Sequence, residues 1–373
     1  MKGVTSTLRI LIGVLSFILV LEMCARLDDC IAYDAPFWGP YNSERLYEQD
    51  QIGKRGKPGA RYMKWKLNSL GYRGPELRAG TIRIVCFGAS ETFGLYESEG
   101  QEYTRQLERD LNARAGTTIF QVVNVAYPGQ TVGTSILRVP EIVKTIHPSF
   151  AFIYPAAAFY IDPPSIRPIP PTASDEKPGR FELRVTDRFR NLLKSVLPER
   201  VQTWLREREI NAAVDHHVID RLPEENVRRF RSDLGQLVSA LQTDGVDPFL
   251  VTHANAFGEH PAAPDHQLLT SWRKFYPILS ENGFIDMEQR MNDTMRSLAA
   301  ERHIHLVDVA REIPPSREYF ADFVHFTTPG ATLMASRLAD AFNADTNMKS
   351  LLNLNMVAPE RREQPALTEN HIR

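Results

Sequence analysis

Three cysteines in 373 residues, at positions 24, 30 and 86, are too few and too scattered for a disulfide framework or a zinc site. Charge of one sign is equally scarce. The 44 Lys and Arg stand against 46 Asp and Glu, a net charge of -2. That balance gives no basic field for nucleic acid and no acidic tail for a basic partner. The pairs His216-His217 and His303-x-His305 have no Cys or carboxylate at ligand spacing, so no metal is expected. "GASETFG" at 88–94 has no Gly-Lys-Ser/Thr ending, which argues against a phosphate loop. No cofactor is expected.

Long apolar runs are also rare, and the one present is informative. Leu8 to Leu21, inside "LRILIGVLSFILVLEMCARL", is broken only by Arg9 and small residues and suits a short membrane span. Lys2 and Arg9 precede it and Glu22, Asp28 and Asp29 follow, so positive-inside logic puts the rest of the chain on the periplasmic or extracellular side. A cleaved export signal is the rival reading, but "LEMCARLDD" offers no small-x-small cleavage site. Residues 1–30 are therefore read as an anchor.

Between 31 and 80 the chain is a connector rich in Gly, Pro, Tyr, Arg and Lys, with turn signals in "GKRGKPGARY" and "NSLGYRGPE". Regular patterning starts at 81 and runs to 345. Five short β-branched or apolar runs, at 81–87, 118–125, 149–155, 247–253 and 303–309, read as strands. Helical stretches lie between them. One has Ser98 and Gln101 as a capping box, Tyr103, Leu107 and Leu111 on one stripe, and Gly116 as its stop. Another, around 223–245, has Val227, Phe230, Leu234, Leu237, Val238 and Leu241 at helical spacing. Alternating strands and helices predict an α/β fold of three layers around a five-stranded parallel sheet. An insertion at about 160–222, opening with "DPPSIRPIPPTASDEKP", is either a lid or partner surface or a solvated excursion. The segment 346–373 is a polar tail.

In such sheets ligands bind beyond the carboxyl ends of the strands. Ser90 stands three residues past the first strand, behind two small residues that let a substrate come close. A turn serine that caps the next helix would look the same. A serine becomes nucleophilic only when a base takes its proton, which directs attention to histidines. The loop after the fifth strand reads "DFVHFTTPG": Asp322, His325 three residues on, then a helix start with Thr327 or Thr328 as cap and Pro329 in its first turn. Ser90, His325 and Asp322 thus fall at one sheet end, where an imidazole oriented by a carboxylate can activate a hydroxyl.

Taken together, "FGASETFG", "NVAYPGQT", "DFVHFTTPG" and the upstream "LNSLGYRGPE" resemble the SGNH, or GDSL-like, hydrolase superfamily, in particular its membrane-anchored bacterial branch. The likeness covers about Leu67 to Phe342. It implies a flavodoxin-like SGNH fold with Ser90 as nucleophile, His325 as base, Asp322 as its orienting acid, and the backbone N–H groups of Ser90 and Gly129 as oxyanion donors. The family's Gly-x-Asn-Asp block is missing, because "FIYPAAAFYID" stands in its place. His253 or Asn255 of "VTHANAF" could line the pocket from the fourth strand's end; the other reading is a packed histidine and a turn asparagine with no such role. The expected activity is hydrolysis of O-acyl, chiefly O-acetyl, esters of a small molecule or cell-envelope glycan through an acyl-serine. O-acyl transfer by the same residues and a non-catalytic SGNH-like polysaccharide-binding or assembly role are the alternatives. No protein partner is implied.

Overall fold

The computed structural model describes residues 2–161, 183–186, 188, 189, 192, 201, 208, 210, 218–258, 260–262 and 265–346. Most of the expected insertion, His216-His217 and the expected tail lie outside the described residues.

Apolar runs form the sheet where sequence patterning places them. The strands β5 (Ile82–Phe87), β6 (Phe120–Asn124), β7 (Phe150–Ile153), β8 (Asp247–Val251) and β9 (His305–Val307) pair in the order β6-β5-β7-β8-β9, all parallel. These ladders are shorter than the runs. Beyond them single bonds carry on, as from Val125 N–H to Cys86 O and from Tyr154 N–H to Phe87 O, before the loops diverge. After β6 the chain returns past β5 to start β7, so the connections leave β5 in opposite directions and a crevice opens at its carboxyl end. Ser90 stands there.

Helices cover both faces, as continuous burial of β5 to β8 requires. These are α3 (Tyr103–Ala115), α4 (Val132–Ile146), α5 (Glu224–Thr243), α6 (His266–Arg273), α7 (Glu281–Arg302) and α9 (Thr328–Asp345); two short ones, α2 (Ser90–Phe93) and α8 (Val309–Glu312), follow β5 and β9. The buried stripe of α3 holds Tyr103, Leu107 and Leu111, and Gly116 ends it in the left-handed region. The expected capping box does not form. Ser98 and Gln101 make a turn of their own, and α3 starts only at Tyr103. Glu102, at the N-cap, faces buried Arg73 at 3.5 Å and caps nothing.

The connector is more structured than its composition suggests. Strands β1 (Tyr47–Gln49) and β2 (Lys54–Gly56), then β3 (Arg61–Tyr62) and β4 (Trp65–Lys66), form two antiparallel hairpins. Arg73, in the "LNSLGYRGPE" segment, is 3 % exposed and donates to the carbonyls of Phe93, Gly94 and Glu97. It supplies the donors that carbonyls at the end of α2 would otherwise lack. The connector therefore fixes the helix that carries Ser90.

At the amino terminus α1 (Lys2–Tyr33) is one unbroken helix of 32 residues. Its side chains from Leu8 to Leu21 are exposed and contact little of the protein, and Leu8–Tyr33 is long and apolar enough to cross a membrane. In the next turns one side is buried, with Glu22, Ala25, Arg26 and Asp29. Arg26 pairs with Glu22 at 2.6 Å and donates to Phe37 O, while Arg184 and Arg188 reach Asp29 at 3.3 and 2.7 Å. Glu22 also accepts the Val185 N–H at 3.0 Å. The end of α1 is thus joined by charge to the segment around 184–188.

Candidate active site

Strand β5 is followed at once by Gly88, where a Cβ would lie 1.9 Å from Thr92 Oγ1 and 2.9 Å from Tyr154 O. Only glycine lets the chain turn so closely into α2. Ser90 opens that helix, which leaves its own N–H without an intrahelical acceptor.

His325 arrives on the loop after α8. Its Nε2 is 2.8 Å from Ser90 Oγ, and its Nδ1 is 2.8 and 3.0 Å from the two oxygens of Asp322. Asp322 Oδ1 also accepts the N–H groups of Val324 and His325, so the turn itself aims the carboxylate. Thr327 then caps α9 through Gly330 N–H, with Pro329 in the first turn, as the sequence predicts. Burial pushes the Asp322 carboxyl upward, but its hydrogen bonds from His325 and the loop N–H groups prevail and hold it below the usual carboxylate range. For His325 burial opposes the charged ring. The Asp322 hydrogen bond and the charges of Glu91, Asp322 and Glu97 outweigh it and raise its pKa. Tyr96 packs edge-on to the His325 ring at 5.3 Å between centroids.

Behind Ser90 lies a second polar array. Glu91 Oε2 is 3.2 Å from Ser90 Oγ, and Glu91 Oε1 is 3.6 Å from His253 Nε2, an ion-pair contact rather than a hydrogen bond. His253 Nδ1 is 2.7 Å from Glu288 Oε2. Asn292 clamps the backbone of His253 at both its N–H and its C=O, and Tyr154 stacks on its ring at 5.1 Å. His253 is 2 % exposed, yet although burial opposes charge, Glu288 and Glu91 push it up to about 10. Burial raises Glu91, but His253 and His325 outweigh this and lower it. The His253 imidazole, with its charged form favoured, therefore sits between two buried carboxylates, one of which touches the serine.

These residues open onto a cavity of about 800 Å³. Ser90, Glu91, His253, Asp322 and His325 reach its surface, and Trp272, Phe275, Tyr276 and Phe323 form an aromatic wall. Trp272 is sandwiched between Phe284 and Phe323 at 4.4 and 5.1 Å, which fixes that wall. Ala156, Ala157 and Ala158 line the side where the family's asparagine would stand. Gly129 follows β6 with φ +88°, a conformation that favours glycine, and its neighbour Pro128 lines the cavity. Asn255 is not a cavity residue. Its Oδ1 accepts the N–H groups of Phe257 and Gly258 in a tight turn, and its Nδ2 points to Glu288 at 3.5 Å, so its amide is engaged away from Ser90. Among the described residues no cluster of His, Cys, Asp and Glu could hold a metal ion.

Sequence reasoning overlooked Glu91, Glu288 and Asn292. The signal for the last two was available: in the buried stripe of α7, with Phe284, Met287, Met291 and Met295, two polar residues four apart interrupt an apolar face.

No family model matches the chain, and no curated protein does. Among solved structures it is similar to the lipase/acylhydrolase from Enterococcus faecalis, at 17% identity over 71% of this chain and 96% of that one, with a TM-score of 0.40. It is also similar to the acetyl xylan esterase AlAXEase, at 13% identity over 70% and 99%, TM-score 0.41, and to the psychrotrophic esterase EstA from Pseudoalteromonas sp., at 11% identity over 73% and 98%, TM-score 0.40. Identities this low leave the chemistry of the site to its own residues.

Proposed function

We propose that the chain is a serine ester hydrolase of the SGNH, or GDSL-like, type, and the observation that carries this reading is the unbroken hydrogen-bonded line Asp322–His325–Ser90 at the mouth of the cavity. Ser90 Oγ attacks the ester carbonyl carbon as its proton passes to His325 Nε2, and the carbonyl electron pair moves onto oxygen. Asp322 stabilises the imidazolium. When the carbonyl re-forms, the alcohol leaves with the proton from His325. Water, activated by the same ring, then releases the acid from the acyl-serine. The Ser90 and Gly129 N–H groups serve the oxyanion.

A small acyl group, of which acetyl is the simplest, on a carbohydrate alcohol fits the division of the site. Gly88 and Ala89 precede the serine and Ala156, Ala157 and Ala158 line the same cavity, while Phe275, 65 % exposed, offers a ring face to sugars. A sugar hydroxyl in place of water would make the same residues an O-acyltransferase, and the roomy cavity has space for such an acceptor. The decisive test is exposure of the full-length protein to a fluorophosphonate, followed by mass spectrometry. One adduct on Ser90, lost in Ser90→Ala, is expected; an unmodified protein would end this reading and favour a binding role.

With Ala156, Ala157 and Ala158 on the side where the family's asparagine would stand, the oxyanion lacks that asparagine's amide, a donor whose removal costs roughly 3 kcal/mol, about a hundredfold in rate, where it is present. Aryl acetates, which bring little remote binding energy, are therefore turned over slowly. Ala158→Asn is expected to raise their kcat toward that factor. A kcat unchanged or lowered would show that the added amide does not reach the oxyanion.

The anchor reading extends to α1, with the catalytic domain outside the cytoplasm because Lys2 and Arg9 precede the apolar stretch. Alkaline phosphatase fused after residue 346 is expected to be active and a cytoplasm-only reporter silent. The reverse pattern would invert the orientation.

A further inference from the structure

Ser90 has one proton and two acceptors within reach: His325 Nε2 at 2.8 Å and Glu91 Oε2 at 3.2 Å. Only transfer to His325 leads to attack. When His325 already carries a proton, its Nε2–H donates to Ser90 Oγ and the hydroxyl donates to Glu91. When His325 is neutral, the hydroxyl can turn to it. Ordinarily a carboxylate 6 % exposed beside a reacting oxygen would take up a proton, but His253 stands behind it, locked by Glu288, Asn292 and the Tyr154 ring.

We propose that Glu91 is a second acceptor for the nucleophile's proton, competing with His325, and that the His253–Glu288 pair is the positioning device that keeps it charged and in place. The inference rests on the reading of Ser90 as nucleophile. Its consequence is a trade. The Glu91 charge strengthens His325 as a base, and it also keeps that base protonated, with Ser90 parked on Glu91, to a higher pH than Asp322 alone would. The groups acting on the His325 ring are Asp322 on its own loop, Glu91 from α2, and Tyr96 and Glu97 from the segment after α2; those acting on Glu91 are His253 and, through it, Glu288 on one side and His325 on the other. Glu97 is itself buried and pushed up to about 7, chiefly by burial, so it adds charge to the site only as it ionises near neutrality.

The experiment is the rate of fluorophosphonate labelling of Ser90 in the full-length protein in detergent, measured between pH 5 and 10. In the unmutated chain the rate should rise with pH along a limb set by His325 and lying above the ordinary imidazole range. Glu91→Gln keeps the size and removes the charge; its limb is expected about one unit or more lower, so that labelling near pH 6 is roughly tenfold faster. Glu91→Asp retains a charge and should keep the limb near its original place, a contrast that a purely structural role would not produce. Glu91→Ala is the second uncharged variant, with the same shift expected should the glutamine disturb the fold. A limb that stays put in both uncharged variants, while the unmutated protein labels normally, overturns the competition. Absence of labelling in the unmutated protein at every pH would overturn the nucleophile reading, and the inference with it.

Discussion

Ser90→Ala and His325→Ala are each expected to reduce the turnover of an ester by four to six orders of magnitude, and the double variant to be scarcely worse than either. On the proposed reading the three side chains act as a unit, so removing one leaves only what binding and the oxyanion donors supply. Asp322→Asn keeps the shape but offers the wrong partner to His325 Nδ1, and a loss near four orders is expected. Asp322 also receives two loop N–H groups, and the amide can still accept these, so the variant should fold. Initial rates on one chromogenic ester, with melting curves, decide the matter. Losses that multiply across the double variant, or a Ser90→Ala protein that still turns over, would show that the line of hydrogen bonds is not the reacting centre.

The second large effect concerns stability. His253→Gln removes the cation between Glu91 and Glu288, and breaking a buried pair of this kind costs about 3–5 kcal/mol. For a domain of this size the melting midpoint should fall by roughly 10 °C. Adding Glu91→Gln removes one of the two stranded carboxylates and should restore part of the loss. Equal midpoints for the single and double variants would mean that the charges are not coupled. Stability should follow the same logic with pH. His253 lies at about 10 in the fold against 6.5 for the free side chain, so its contribution is complete below pH 6.5 and disappears as pH rises through 10. Glu91 is lowered, so its share is present above the ordinary glutamate pKa of 4.5 and is lost on acidification. The unmutated protein should therefore lose more of its midpoint between pH 7 and 10 than His253→Gln does.

The sheet was legible in the sequence because each of its strands is a short apolar run, and a strand buried on both faces needs nothing more. Ser90 and the Asp322–His325 pair were legible for a related reason: Ser90 stands three residues past β5 and the pair lies in the connection from β9 to α9, so their positions along the chain fix them at one rim of the sheet. Residues whose neighbours come from distant parts of the chain were not legible. Ser98 and Gln101 had the right spacing for a capping box, but the adjacent Glu102 faces Arg73, some thirty residues upstream, and α3 starts later. For Asn255 the sequence left a pocket amide and a turn asparagine both open, and the oxygen that closes the turn to Gly258 decides for the turn. Glu91 was hidden by proximity, since beside a serine it reads as an ordinary first-turn acid until His253 is placed behind it.

The end of α1 has a mechanical meaning. Arg184, paired with Asp29 of that helix, lies over the ring of Tyr41; Tyr41 meets Tyr62, Tyr62 stacks on Trp65, and Trp65 touches Phe93 at the end of α2. No floppy tether intervenes between the anchor and the helix that bears Ser90. With α1 in a bilayer as proposed, the catalytic cleft rides at one height and one tilt above the lipid instead of sweeping the volume that a flexible linker of similar length would allow. On that reading the enzyme would search in two dimensions, by lateral diffusion, and esters held at that height would be the population open to it.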